Sequence, residues 1–207
     1  MNRPRLLRRR PTRALALGAA VLATPVLGCG PSPDDTSPPV EVSVAGDDVA
    51  ELRLENLERT VEILHGKMTA LAQEMPTETL DWRPMDGVRS PREVFVHVAA
   101  DNWFVPALMG WSAPDETGVT DDVETFRAYQ ERPMSRDEML EALEASFVFF
   151  RGAMAESAGE LDRAVTLGGQ PTTVGDVWIR ATVHLHEHLG QSIAYARSHE
   201  VVPPWSR

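Results

Sequence analysis

The sequence lacks several features that would widen the range of folds and functions open to it. Its 207 residues include a single cysteine, Cys29, which excludes a disulfide within the chain and a cysteine-ligated metal site in the folded domain. No run of alternating β-branched residues is long enough to predict a β-sheet. The apolar run from Ala14 to Leu27 has 14 residues, whereas a stable bilayer span needs about 20. These absences favour a helical domain without a transmembrane anchor.

Basic residues are scarce outside the N-terminus. The chain has 20 Lys and Arg residues against 31 Asp and Glu, and residues 1–29 hold six of the basic residues and none of the acidic ones. A chain that has lost this segment keeps 14 basic and 31 acidic residues, a formal charge of −17. Such a surface repels nucleic-acid phosphates and anionic lipid headgroups. Nucleic-acid binding is therefore excluded, and any attachment to a membrane must rest on something other than electrostatic attraction.

Residues 1–29 have the order of an export signal. Six arginines precede the apolar run, and Val26-Leu27-Gly28-Cys29 resembles a bacterial lipobox, in which the cysteine is lipidated and becomes the first mature residue. The alternative is an ordinary cleaved signal peptide with an incidental cysteine. Residues 30–46 are rich in proline and are predicted to form a disordered tether. We expect an exported protein, lipid-anchored through Cys29 to a membrane that faces the periplasm or the cell exterior.

Residues 47–207 contain four segments with helical periodicity. Apolar residues recur along them at spacings of three and four, and two segments open with a capping box of Ser and Glu. Their predicted starts are near Asp48, Ser90, Ser135 and Thr173. The predicted fold class is all-α, a four-helix bundle with loops at residues 112–134 and at the glycine-rich residues 168–173. Pro106 should kink the second helix or end it early.

Three of the six histidines lie close together in the last predicted helix. His184 and His188 are one turn apart on the same face, which lets both imidazoles reach one metal ion, whereas His186 points about 200° away from His184. Both belong to an apolar stripe, where an imidazole is costly unless something binds it. The best candidate for a third ligand is His97 in the second helix. The alternative interpretation is that two histidines with this spacing lie on a solvated helix face and bind no metal.

The chain resembles the DinB-like superfamily, which includes the YfiT-type metal-dependent hydrolases, over about residues 51–205. The resemblance rests on MPTETLDWRP followed by GVRSPREVFVHVA, on HLHEHLGQ in the last helix, and on the VVPP after it. It implies a four-helix bundle with one metal-binding histidine on the second helix and two on the fourth, which match His97, His184 and His188. Family members often carry His-His-Arg-Gly-Gln at the last ligand, where this chain has EHLGQ.

Three imidazoles leave a divalent first-row metal at least one open position, as in catalytic sites. The ion can lower the pKa of a coordinated water towards about 7, bind a thiolate or polarise a carbonyl group, and zinc and nickel both suit the ligand set. Asp101, one turn beyond His97, is the candidate catalytic residue. Alternatively, Asp101 is a fourth metal ligand, a group that orients an imidazole, or an acidic residue at the rim of the bundle. Gln191 is the candidate residue that orients an imidazole through a hydrogen bond. Alternatively, its side chain makes a hydrogen bond at the end of the helix.

The predicted function is a metal-dependent enzyme that acts on a small molecule, either as a hydrolase or as a thiol-dependent transferase. An exported location weakens the transferase hypothesis, because reduced small thiols are scarcer outside the cytoplasm. The alternative function is a metal- or ligand-binding lipoprotein that performs no chemistry. Dimers are common in the family that the chain resembles, so a homodimer is a further expectation.

We expect Cys29→Ala to release the protein from membranes, because the lipid on this cysteine is the predicted means of attachment. Cells that express the wild type or the variant are fractionated into membrane and soluble pools. The wild type should be found in the membrane pool and the variant in the soluble pool. An equal distribution of the two proteins would contradict the lipobox interpretation.

Overall fold

Helices dominate the part of the protein that the computed structural model describes, residues 46–207. The predicted signal peptide, Cys29 and the predicted tether up to residue 45 lie outside this range. The elements are α1 (Gly46–Glu74), α2 (Pro91–Leu108), α3 (Val123–Gln130), α4 (Arg136–Glu156), β1 (Ala164–Leu167), β2 (Gln170–Thr173) and α5 (Val174–Ser198). The predicted all-α class is confirmed as a mostly helical fold. None of the helices within this range has both the length and the hydropathy of a membrane-spanning segment.

The four long helices α1, α2, α4 and α5 share one apolar core. α2 packs against α4 and α5, and α1 packs against the same two helices. Aromatic side chains from three of them are at most 1% exposed: Phe95, Phe147, Phe150 and Trp178. The Trp178 indole donates a hydrogen bond to Ser157 Oγ at 3.0 Å, which satisfies its polar atom inside the core. This packing places α2 beside α5, as the histidine pattern requires.

Capping side chains set the helix starts that the sequence predicted. The hydroxyls of Ser90 and Ser135 accept hydrogen bonds from the backbone N–H groups of Glu93 and Glu138, whose carboxylates accept in return from the serine N–H groups. The Thr173 hydroxyl accepts from a backbone N–H in the first turn of α5. Each cap satisfies N–H groups that have no partner inside the helix and typically stabilises it by about 1 kcal/mol. The caps of α2 and α5 thereby fix the two helices that carry the candidate site.

Two segments that were predicted to be loops contain regular structure. α3 lies within predicted loop 112–134, and Asp122 caps it by accepting a hydrogen bond from Glu124 N at 3.0 Å. The prediction of no sheet was also wrong, because β1 and β2 pair as an antiparallel hairpin. Strands of four residues are too short to show an alternating pattern. Gly168 and Gly169, with φ of 57° and 78°, supply the left-handed conformations that a two-residue hairpin turn needs.

Pro106 lies inside α2, two residues before the helix ends at Leu108. Its ring nitrogen carries no hydrogen, so one helical hydrogen bond is missing in the last turn. Backbone N–H groups of Met109 and Trp111 instead donate to the Pro106 carbonyl oxygen at 3.0 and 3.1 Å, which turns the chain out of the helix. The early helix end that the proline predicted is therefore observed.

Candidate metal centre

Four polar side chains converge where α2 faces α5. His97 and Asp101 lie one turn apart on α2, and His184 and His188 lie one turn apart on α5. One potential ligand atom from each residue lies within 4.8 Å of those of the other three. The fold thus brings together the three histidines and the aspartate singled out from the sequence, although Asp101 and His184 are 83 positions apart.

Several distances in this cluster are those expected between ligands of one ion. Asp101 Oδ2 lies 3.1 Å from the Nε2 atoms of both His97 and His184. The Nε2 atoms of His184 and His188 also lie 3.1 Å apart. Two ligands of a tetrahedral ion with bonds of about 2.0–2.1 Å are roughly 3.3 Å apart. The remaining separations, up to 4.8 Å, are wider. The cluster therefore has nearly the spacing of a metal-ligand set.

Burial and charge give the three imidazoles different pKa values. The side chain of His97 is 8% exposed and that of His184 is 42% exposed. Desolvation lowers the pKa of His97 below its usual 6.5 and lowers the pKa of His188 to about 4. The hydrogen bond with the Asp101 carboxylate raises the pKa of His184. Near pH 7, His97 and His188 are neutral and offer lone pairs, whereas His184 is the first of the three to gain a proton as the pH falls.

The ring nitrogen that each imidazole turns away from the cluster meets an acceptor oxygen. The three contacts are His97 Nδ1 with Gln130 Oε1 at 2.8 Å, His188 Nδ1 with Gln191 Oε1 at 3.1 Å, and His184 Nδ1 with Glu187 Oε2 at 3.4 Å. Amide oxygens accept hydrogen bonds, so the contacts of His97 and His188 favour a hydrogen on Nδ1 and a lone pair on Nε2. Both nitrogens of His184 face a carboxylate, since Nε2 also lies 3.1 Å from Asp101 Oδ2, so either nitrogen of this ring can carry its hydrogen. Metal-binding histidines commonly have this arrangement, in which the outer nitrogen donates to an oxygen.

The donor set fits a divalent metal ion. With a lone pair on each Nε2, three nitrogens and one carboxylate oxygen face one another and none of the four atoms donates a hydrogen bond. Acceptors about 3.1 Å apart repel each other unless a cation or a proton lies between them. Neutral imidazoles with a carboxylate are a ligand set that suits zinc, and imidazoles suit nickel as well. The cluster is thus compatible with a metal site.

The other three histidines lie outside the cluster. His186 is exposed, and its Nδ1 lies 2.9 Å from the carbonyl oxygen of Thr182 in its own helix. This agrees with the helical periodicity, which turns His186 away from its two neighbours. His65 stacks on Phe147 with ring centroids 4.8 Å apart, and His199 forms the C-terminal cap of α5.

Gln130 was missed from the sequence because α3 was missed. This helix lies against α2 and brings Gln130 and Phe126 next to His97, whose ring centroid is 6.0 Å from that of Phe126. Phe126 also stacks on Phe104 at 4.8 Å. The available cue was Asp122, a good N-cap residue, directly before the pattern Val-Glu-Thr-Phe. α3 therefore supplies both a polar contact and an apolar wall to the cluster.

Fold and site together define a mostly helical protein with a histidine–aspartate cluster that is compatible with a metal ion. The sequence profile of the DinB superfamily matches residues 47–192, which make up well over half of the chain and include all four members of the cluster. The chain belongs to the DinB superfamily. No curated protein matches it.

Proposed function

We propose that this protein is a metal-dependent enzyme that acts on a small molecule, as a hydrolase or a thiol-dependent transferase. The observation that carries the proposal is the convergence of His97, Asp101, His184 and His188. Membership of the DinB superfamily supports it. We also propose that α1, α2, α4 and α5 form the four-helix bundle of this superfamily, since α1 and α2 each pack on both α4 and α5.

Each residue of the cluster has a role in this proposal. The three histidines hold a divalent ion, with zinc or nickel as the best candidates, through their Nε2 atoms. When bound, the ion supplies a Lewis acid that activates water or polarises a carbonyl group. The Asp101 carboxylate, 14% exposed beside two of the histidines, accepts a proton as the general base. Gln191 orients His188 through the contact between its Oε1 and Nδ1.

One side of the cluster is open to solvent. The side chain of His184 is 42% exposed, whereas His97 and His188 are buried, so the open side of the cluster lies next to His184. Phe104 and Phe126 stack on each other beside His97 and are only half-buried. We propose that this aromatic pair contacts the apolar part of the substrate, because catalytic pockets combine apolar walls with a few polar groups.

A binding protein without catalysis is the second candidate function, and the position of Asp101 favours it. Asp101 Oδ2 lies as close to two imidazole nitrogens as His184 Nε2 lies to His188 Nε2, so the carboxylate is placed like a fourth ligand. Four protein ligands around zinc close the coordination sphere, as in structural sites. The two functions thus differ in whether Asp101 is a ligand or a base.

We further propose that the enzyme works outside the cytoplasm, on a lipid anchor at Cys29. Support comes from the Arg-rich and apolar order of residues 1–29 and from the lipobox-like residues 26–29. The homodimer expected from the resemblance also stays a prediction.

Chelator should lower the melting temperature of the zinc-loaded protein at pH 7.5. A ligand that binds only the folded state, at 100 times its dissociation constant, stabilises it by about 2.7 kcal/mol, which is roughly 5–10 °C for a chain of this size. The direction of the pH effect follows from competition between protons and the metal ion for the imidazoles. The ion needs neutral imidazoles, and Asp101 raises the pKa of His184. The stabilisation of the fold by the bound ion is complete above the pKa of His184 and is lost as the pH falls through that pKa. At pH 5 chelator should therefore have little effect.

Thermal melts of two variants provide the control for this experiment. His188→Ala removes a proposed ligand and should abolish the chelator effect. His186→Ala, an exposed position of the same helix, should leave the effect intact. The proposed ligand set is wrong if the two variants respond alike, or if chelator does not change the melting temperature of zinc-loaded wild type at pH 7.5.

Cobalt substitution distinguishes the enzyme from the closed binding site. Co²⁺ in place of zinc has visible absorption bands that change when an added ligand enters its coordination sphere. With Asp101 as base, azide should change the spectrum of the wild type, and Asp101→Asn should bind cobalt within a few-fold of wild-type affinity with the same spectrum. If azide has no effect on the wild type and Asp101→Asn weakens cobalt binding strongly, the site is closed and the enzyme proposal fails.

A further inference from the structure

Arg89 makes two polar contacts that lead to two different histidines of the cluster. It immediately precedes Ser90, the N-cap of α2. Its Nη2 donates a hydrogen bond to Gln130 Oε1 of α3 at 3.3 Å, and its backbone carbonyl oxygen accepts one from the Tyr195 hydroxyl of α5 at 3.1 Å. A guanidinium only donates and a carbonyl only accepts, so the direction of each contact is fixed by its chemistry.

The guanidinium contact determines which nitrogen of His97 carries a hydrogen. Because Arg89 can only donate, the Gln130 atom that it meets must be the amide oxygen and not the amide nitrogen. The same oxygen lies 2.8 Å from His97 Nδ1. It can only accept, so Nδ1 carries the hydrogen and Nε2 of the neutral ring carries the lone pair. Nε2 is the nitrogen that faces the cluster, 3.1 Å from Asp101 Oδ2.

The contact of the Arg89 carbonyl oxygen determines which nitrogen of His188 carries a hydrogen, through the side chains of Tyr195 and Gln191. The Tyr195 hydroxyl has one hydrogen and gives it to the Arg89 carbonyl oxygen. Its oxygen then accepts from Gln191 Nε2 at 2.9 Å, which leaves Gln191 Oε1 facing His188 Nδ1 at 3.1 Å. A flipped Gln191 amide would take the tyrosine hydrogen and leave the Arg89 carbonyl without it. The unflipped amide places the hydrogen on His188 Nδ1 and the lone pair on Nε2.

We propose that Arg89, Gln130 and Tyr195 are positioning residues that hold His97 and His188 in the tautomer with a hydrogen on Nδ1. This inference rests on the proposed metal site, because its benefit is to aim two Nε2 lone pairs at one ion before the ion binds. Asp101 opposes it at His97, since a carboxylate favours a hydrogen on the Nε2 that it faces. Asp101 Oδ2 has a second imidazole partner in His184 at 3.1 Å, so its hydrogen bonding does not depend on His97.

The contacts of Arg89 also tie three elements of the chain to the site. Gln130 ends α3, Tyr195 lies near the end of α5, and Arg89 precedes α2. The Tyr195 side chain is buried, with 7% of the residue exposed, and its ring packs edge-on against Trp82 with centroids 5.6 Å apart. Since the tyrosine ring is held by packing, its hydroxyl is a fixed reference for Gln191. Tautomer control is thus built into the helix packing.

The test reads the tautomers directly in metal-free protein at pH 8, by nitrogen-15 NMR of the imidazole rings. In the wild type, His97 and His188 should both show a hydrogen on Nδ1. Gln130→Met should change the ring-nitrogen shifts of His97 only, and Tyr195→Phe those of His188 only. Gln130→Glu keeps an acceptor oxygen and should keep the wild-type tautomer of His97, a rescue that a merely structural role does not predict. Gln73→Met, an exposed position on α1, and Tyr129→Phe are matched controls that should change neither ring.

Zinc affinity, measured by competition with a chromophoric chelator, is the second readout. Gln130→Met and Tyr195→Phe should each weaken zinc binding about 10- to 100-fold, the usual effect of removing a partner of a metal-binding histidine. The inference is overturned if either ring carries its hydrogen on Nε2 in the wild type, or if both variants leave the ring shifts unchanged. If the wild type does not bind zinc but shows the predicted tautomers, the proposed function fails and the positioning role stands.

Discussion

Three imidazole nitrogens and one carboxylate oxygen face one another between α2 and α5, and this electrostatic arrangement needs positive charge at its centre. His97 and His188 do not provide that charge near neutral pH, because burial lowers the pKa of both rings. The charge must come from a proton on His184, whose pKa Asp101 raises, or from a bound cation. A divalent ion satisfies all four atoms at once, whereas a proton satisfies one pair. The geometry of the cluster is therefore compatible with a metal ion.

The rest of the fold serves to hold α2 and α5 side by side in the correct rotation. Each helix contributes two residues of the cluster spaced by one turn, so a rotation of either helix by one residue would move them away from the other pair. The shared core of α1, α2, α4 and α5 opposes such a rotation, because each of these helices buries apolar side chains in it. The capping residues Ser90 and Thr173 determine where the two helices begin. Stability of the core and the geometry of the site thus depend on the same contacts.

The four long helices and the pairing of His184 with His188 could be predicted because both follow from the helical period, whereas the resemblance to the DinB-like superfamily pointed to His97. His184 and His188 lie on one face by spacing alone, and capping patterns located Ser90 and Ser135 within one residue of the helix starts. α3 and the hairpin could not be predicted in this way, because eight residues and two strands of four are too short for periodicity to emerge. The role of Gln130 depends on how α3 packs on α2, which is a long-range contact that local sequence does not encode. Gln191 could be found because it lies on the same helix as His188.

The central claim is that this chain binds one divalent ion between α2 and α5, and metal analysis of protein purified without an affinity tag tests it most directly. The account predicts about one equivalent of a first-row divalent metal per chain in the wild type. His97→Ala, which removes the ligand that comes from α2, should retain helical circular dichroism and lose most of the metal. A wild type that contains no metal, even after incubation with zinc or nickel and removal of the excess, would contradict the claim. Equal metal content in the wild type and in His97→Ala would contradict it as well.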